Sequence, residues 1–114
     1  MIISITSIEL KGLFKFFSLS HKAMFIRKQL KSSPCRKLKT KGFGKKHYTM
    51  SMWEKEEQMR SFAHSGAHMT AMKTAKEIAK EIRVLTYDGE GFPTWENAKV
   101  LLENDTRTKI FRYD

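Results

Sequence analysis

Histidine is the side chain best suited to acid–base or metal chemistry near neutral pH, and this 114-residue chain contains four. His47 lies in the segment KHYTMSMW, whose alternating side chains predict a β-strand, so its imidazole is the strand-borne candidate for a general base. His64 and His68 are four residues apart, so an unbroken helix would present both on one face as a metal pair or as one axial haem ligand. Two side chains are too few for a closed zinc site, so we predict no metal and keep His64 and His68 only as its candidates. The alternative is that His68 donates a hydrogen bond to nearby backbone while His64 is partly solvated.

The segment KGFGKKHY at residues 41–48 begins like the signature of an RNA recognition motif, with a basic residue followed by Gly, an aromatic residue and Gly. That signature next requires an aromatic residue and Val, and here those positions hold Lys45 and Lys46. The first predicted strand also has no aromatic residue that could stack on a base. We therefore expect no RNA binding through the surface of a sheet.

The formal net charge of +10 is concentrated in the first half of the chain. Residues 1–50 carry twelve Lys or Arg and one acidic residue, whereas residues 51–114 carry ten Lys or Arg and eleven acidic residues. Clustered cations of this kind suit a phosphate-bearing partner such as nucleic acid. The alternative is a solvated surface that keeps the protein soluble.

Chain length and composition indicate one domain, residues 1–114, and cysteine content indicates a cytoplasmic protein. Cys35 is the only cysteine, so no internal disulfide can form, which suits a reducing compartment. No basic region precedes the apolar residues at the start of the sequence, so we expect no signal peptide. No apolar run approaches the roughly 18 residues of a membrane span.

Hydrophobic periodicity and turn residues predict the order β-α-β-β-α-β, followed by a further helix and a short strand. That order is a ferredoxin-like α+β fold with an antiparallel sheet. The predicted strands are residues 2–11, 36–41, 46–53, 82–87 and 109–113, and the predicted helices are residues 18–32, 54–81 and 95–103. We expect a turn at Gly42-Phe43-Gly44, a kink at Ser65-Gly66 and a helix cap at Thr94.

The strand 46–53 has two different faces because side chains alternate across a strand. Its apolar face, which we expect to pack on helices, carries Tyr48, Met50 and Met52. Its mixed face, which we expect to look away from the helices, carries His47, Thr49, Ser51 and Trp53.

The segment HYTMSMWEKEEQMRSFAHSGAHMTAMK at residues 47–73 has a strand ending in Trp-Glu, an acidic helix start and the spacing Phe-x-x-Ser-x-x-His-x-x-Ala. In these features it resembles the antibiotic-biosynthesis-monooxygenase-like superfamily of dimeric α/β barrels. Within that superfamily it is most similar to a family of small uncharacterised proteins related to spheroidene monooxygenase. The resemblance covers nearly the whole chain, since residues 16–34 and 93–102 resemble the first and the C-terminal helix of that family.

The resemblance implies a homodimer with a cleft between sheet and helices for a hydrophobic small molecule. In that arrangement His47 would be the catalytic base, and the ligand-binding residues would be Thr49, Ser51, Trp53, Phe62 and His68. The alternative is that the strand residues pack a dimer interface.

Because some relatives in the superfamily handle haem, the resemblance brings haem into consideration as a cofactor. The haem-degrading relatives use an Asn, a Trp and a His, but Phe62 and Met72 occupy the matching Trp and His positions here, and the first strand has no Asn. That triad is therefore absent, and the cofactor is either none or haem.

Three functions follow from the sequence. The first is a monooxygenase-like enzyme acting on a hydrophobic small molecule. The second is a non-catalytic haem- or ligand-binding protein with the same fold. The third, which the residues favour least, is RNA binding through the basic N-terminal half.

Overall fold

The computed structural model describes residues 1–12, 24, 28, 33–63, 75 and 77–113. Within them the elements are β1 (Ile2–Leu10), β2 (Lys37–Phe43), β3 (Lys46–Trp53), α1 (Glu56–Ala63), β4 (Ala79–Asp88), α2 (Trp95–Asn104) and β5 (Lys109–Arg112). All five predicted strands and the C-terminal helix are confirmed. The helix predicted at 18–32, apart from residues 24 and 28, and the kink predicted at Ser65-Gly66 lie outside the described residues.

Five antiparallel strands form one sheet with the order β2-β3-β1-β4-β5. β1 lies at the centre, where Ile2 pairs with Trp53 of β3 on one side and with Asp88 of β4 on the other. β4 begins at Ala79, inside the segment predicted as helix, because Ala79 is fully buried and pairs with Leu10 of β1. The result is a ferredoxin-like α+β fold with an added helix and edge strand.

The β2–β3 hairpin turns at Gly44-Lys45, two residues later than its predicted start. Gly44 has a φ of 57°, which an L-residue rarely adopts, while no residue other than glycine has a positive φ among those described. Glycine at the first central position of a two-residue loop is the pattern of a type II′ turn. The predicted turn at 42–44 is therefore wrong in its bounds, and Gly42 and Phe43 belong to β2.

Apolar residues of the three central strands pack against α2. This surface, the α2 face, carries Tyr48, Met50 and Met52, as predicted. Its remaining members are Ile3, Ile5 and Leu85, which meet Ala98 and Leu102 of α2. Burying one such large apolar side chain stabilises the fold by about 1.5–3 kcal/mol.

α1 contacts the opposite surface, the α1 face, which carries His47, Thr49, Ser51 and Trp53. The indole ring of Trp53 packs on Phe62 of α1 with 5.6 Å between ring centroids. The expectation that this face looks away from the helices is therefore wrong. Strand alternation places Trp53 opposite Met52, and α1 follows so closely on β3 that it covers the indole.

Thr94 caps α2, as the sequence predicts, because its Oγ1 accepts a hydrogen bond of 3.2 Å from the backbone N–H of Asn97. At the other end, the backbone N–H of Asp105 donates to the carbonyl of Leu101. Neither α1 nor α2, the two helices whose bounds the structure describes, is long and apolar enough to cross a membrane.

The carboxylate of Asp105 accepts three hydrogen bonds from Arg107, one from its backbone N–H and two from its guanidinium. These bonds favour the charged form and lower the pKa of Asp105 from 3.8 to about 2, with the guanidinium as the largest cause. Because the folded-state pKa is the lower one, this stabilisation is present above pH 4 or so. It is lost as the pH falls through the folded-state value.

We predict that the Asp105 carboxyl carbon titrates in a 13C NMR experiment with a midpoint near the lowered value of about 2. In an Arg107→Gln variant the midpoint should return toward 3.8, because the guanidinium bonds are gone. Arg60→Gln, which removes an exposed arginine of α1, is the matched control and should leave the Asp105 midpoint in place. An unchanged midpoint in Arg107→Gln would contradict the assignment.

Candidate functional site

Six hydroxyl side chains share the α1 face across four neighbouring strands. They form two adjacent rows, in which Ser51, Ser4 and Thr86 are paired neighbours and Thr40, Thr49 and Thr6 are paired neighbours. Directly paired residues have Cβ atoms about 4.5–5.5 Å apart, so the hydroxyls are contiguous. We call these six residues the hydroxyl floor.

Hydrogen bonding and charge define the chemistry of the hydroxyl floor. The Oγ1 atom of Thr86 donates to Oγ of Ser4 over 3.4 Å and also lies 3.9 Å from Sδ of Met59 in α1. In the rows from Ser51 to His47, the residues of β1, β2, β3 and β4 on this face include Ile8, Ile82 and Val84 and no Lys, Arg, Asp or Glu. Charged residues lie at the margins of the face, where Asp88 shares the row of Trp53 and Lys109 of β5 pairs with Val84. The hydroxyl floor can therefore offer hydroxyl donors and acceptors in mainly apolar surroundings, with formal charges only at its margins.

The Trp53 end of this surface is closed by packing. Trp53 is 1% exposed and Phe62 is 9% exposed, and their rings are in contact. The indole Nε1 donates a hydrogen bond of 2.9 Å to Oγ of Ser51. Three residues predicted as ligand-binding, Ser51, Trp53 and Phe62, therefore lie together. The main role of Trp53 is to pack the sheet against α1.

At the other end of the α1 face, the position of the His47 ring depends on Gly42, which pairs directly with His47 between β2 and β3. A Cβ atom added at Gly42 would lie 2.4 Å from Nδ1 and 2.7 Å from Cε1 of His47, closer than non-bonded atoms approach. The half-buried imidazole therefore occupies the space that a side chain at position 42 would need. Gly42 is a positioning residue for His47 that the sequence interpretation missed.

The two ends of the α1 face do not meet. His47 and Trp53 are six residues apart on β3, a separation of about 20 Å at the rise of a strand. Thr49 is the nearest predicted ligand-binding residue to His47, about 7 Å along the strand. A compact ligand can contact either His47 and Thr49 or Ser51 and the Trp53 end, and only an elongated one could contact both.

Other residues singled out by the sequence lie elsewhere. His64, His68 and Met72 lie outside the described residues. Within the part of the chain that the structure describes, no three His, Cys, Asp or Glu side chains are grouped as metal ligands.

Cys35 lines a separate open pocket of about 460 Å³ together with Arg36, Glu54 and Gln58. Its Sγ donates to the carbonyl of Lys37 over 3.3 Å, and burial raises the pKa of the thiol. The thiolate is therefore disfavoured, so Cys35 is poorly suited to act as a nucleophile.

The RNA-motif-like segment has a structural explanation. Gly42 makes room for His47, and Gly44 supplies the positive φ of the turn. Tyr48, which fills the last aromatic position of that signature, is 7% exposed under α2 with its ring 6.5 Å from that of Trp95. It is not available to stack on a base.

No protein-family profile matches the chain, and no curated protein sequence matches it. Solved structures do match. A candidate antibiotic biosynthesis monooxygenase from Deinococcus radiodurans superposes with a TM-score of 0.68 at 11% identity, covering 82% of this chain and 97% of the other. A conserved protein from Methanosarcina mazei gives 0.70 at 12% identity, with 78% and 92% covered.

A cofactor-independent oxygenase from Streptomyces nogalater gives a TM-score of 0.61 at 7% identity, with 82% of this chain and 96% of the other covered. Identities this low establish the fold and leave the activity open. The chain therefore has the ferredoxin-like α+β fold that is found in antibiotic biosynthesis monooxygenases.

Proposed function

We propose that this protein binds a hydrophobic small molecule on its α1 face and oxygenates it as a monooxygenase-like enzyme. The observation that supports this most directly is the hydroxyl floor, whose six side chains carry no charge and lie on the sheet face that α1 contacts, with an imidazole at one end. The same fold occurs in a cofactor-independent oxygenase, which gives the proposal a chemical precedent.

The chemistry we propose requires only a base and dioxygen. His47 accepts a proton from an activated CH2 group of the ligand, and the carbanion reduces O2, so that CH2 and O2 become C=O and H2O. Thr49 is close enough to His47 to donate a hydrogen bond to the enolate oxygen that forms. Gly42 leaves the space that the imidazole occupies in this position.

The remaining roles follow from the resemblance and from packing. Ser51, Trp53 and Phe62 form the end of the site next to α1, where the buried Trp53 acts through its packing on Phe62 and its hydrogen bond to Ser51. His68 joins them as a ligand-binding residue, a role that rests on the resemblance alone. We also infer a cytoplasmic protein related to spheroidene monooxygenase.

We further propose that the protein is a homodimer. The edge strand β5 supports this, since Ile110 on one of its faces is 44% and Phe111 on the other is 43% exposed, and an exposed apolar edge strand can pair with a second copy of the chain. Light scattering on purified protein should give twice the mass of one chain, and Ile110→Glu should shift the protein toward the monomer. If the wild-type protein is monomeric at micromolar concentration, the proposed dimer is wrong, and the proposed chemistry is not affected by that result.

Oxygen uptake tests the proposed function. Purified protein should consume O2 with an aromatic or polyene substrate that carries an activated CH2 group, and should do so without added cofactor. His47→Gln keeps a polar side chain but removes the base, so uptake should fall by about 10²–10⁴-fold. Cys35→Ser, which lies outside the α1 face, is the control and should retain full uptake.

Two other outcomes favour the second function. Ligand binding with no uptake in any variant would indicate a non-catalytic binding protein. A Soret band on titration with haem would indicate a haem protein, and its loss in His68→Ala would identify the axial ligand.

A further inference from the structure

Three lysines form a row on the exposed edge of the sheet. Lys37, Lys39 and Lys41 alternate along β2, and all three are exposed. β2 pairs only with β3, so its outer edge has no neighbouring strand among the described residues. Successive side chains on one face of a strand are about 7 Å apart, so the row extends for about 13 Å. We call these three residues the lysine ridge.

The lysine ridge lies on the α2 face, since its residues pair with Met52, Met50 and Tyr48. Aromatic rings adjoin it there. Nζ of Lys39 lies 5.9 Å from the centroid of the Phe92 ring, and Nζ of Lys99 from α2 lies 5.4 Å from that of Tyr48. Phe92 and Trp95 are only partly buried, so each ring keeps an accessible portion beside the cations.

The charges of Lys37 and Lys39 in the lysine ridge are available to a partner. Lys37 and Lys39 form no ion pair with any residue that the structure describes. Arg36, which precedes the ridge, is instead paired with Glu54. The exposed Lys45 and Lys46 continue the positive charge beyond the ridge at the hairpin turn.

We propose that the lysine ridge binds single-stranded nucleic acid, with the phosphate backbone along β2 and bases against Phe92 and Trp95. A linear array of cations beside partly exposed aromatic rings is the combination that such binding uses. This mode differs from an RNA recognition motif, whose stacking residues would lie on the sheet, where Tyr48 is buried. The ridge is on the face opposite His47, so it is independent of the proposed oxygenase chemistry.

Lysines on an edge strand also have a second role, because they prevent strand-to-strand aggregation. If the lysine ridge serves only this purpose, replacing its lysines should leave nucleic acid binding unchanged and should cause the protein to self-associate. The two roles therefore give different results in one set of variants.

Fluorescence anisotropy with a labelled oligouridine of about 12 nucleotides tests the proposal. The test variant replaces Lys37, Lys39 and Lys41 by glutamine. The matched control replaces three exposed lysines on other parts of the surface, Lys55, Lys80 and Lys109, also by glutamine. Both variants therefore lose three positive charges. Between about 50 and 200 mM salt, the slope of log K against log salt should be shallower by about 2 for the ridge variant than for wild type.

The control variant should keep most of the wild-type slope. Phe92→Ala should weaken binding without changing the slope, because this substitution removes a stacking surface and no charge. Equal losses in the two triple variants would overturn the proposal in favour of a net-charge effect. So would unchanged binding in a ridge variant that instead aggregates on size-exclusion chromatography. Preferential binding of phosphatidylserine vesicles over the oligonucleotide would overturn it in favour of a membrane surface.

Discussion

Replacing Trp53 by alanine should lower the free energy of unfolding by about 3–5 kcal/mol, the usual cost of removing a large buried aromatic side chain. The indole is 1% exposed, packs on Phe62 and donates to Ser51, so its removal leaves a cavity at the contact between β3 and α1. Urea denaturation followed by far-UV circular dichroism measures the change.

Trp53→Phe keeps most of the packing and removes the hydrogen bond. It keeps a ring against Phe62 but loses the bond to Ser51 and part of the buried indole volume, so it should cost about 1–2 kcal/mol, well below the alanine variant. A loss below about 1 kcal/mol in Trp53→Ala would contradict the packing role. Ligand affinity should be tested in Trp53→Phe and not in Trp53→Ala, because a loss of binding in the destabilised alanine variant would reflect unfolding.

Replacing Gly42 by alanine should destabilise the protein by about 1–3 kcal/mol and displace the His47 ring. The added Cβ would lie 2.4 Å from Nδ1 of His47, so either the ring rotates or β2 moves away from β3. Displacement of the imidazole should also reduce oxygen uptake toward the level of His47→Gln. The chemical shifts of the His47 ring protons in NMR spectra should change relative to wild type.

Gly91→Ala is the control, because a Cβ atom there meets nothing within 4 Å. It should change stability by no more than about 0.5 kcal/mol. The double variant Gly42→Ala with His47→Ala should recover part of the lost stability, since the clash needs both side chains. Additive effects in this cycle would show that Gly42 does not position His47.

Local patterns in the sequence predict much of the fold. The alternation in KHYTMSMW predicts β3 and its two faces because strand periodicity is a property of the segment itself. Thr94 is identified as a cap by its position before an apolar helical segment, and the structure confirms it. The sequence alone does not locate the hairpin turn, because either Gly42 or Gly44 could supply a positive φ, and only the strand pairing distinguishes them.

The candidate site depended on information that no single segment contains. Ser4 and Thr86 join Ser51 in one row only through the register of β1 with β3 and β4, which the sequence does not specify. The role of Gly42 likewise depends on its pairing with His47. Sequence periodicity placed His47 and Trp53 on one face, but it did not show that α1 covers one end of that face.

The central position of β1 has a consequence for synthesis of the chain. β1 is synthesised before its partners β3 and β4, and Ile2 pairs with Asp88, which is far away in the sequence. Contacts between residues so distant in sequence form slowly, because a long loop must close before they stabilise the structure. On the ribosome, the nascent β1 and β3 cannot bury their isoleucines and methionines until β4 and α2 have left the exit tunnel, and chaperones should bind the chain during that interval.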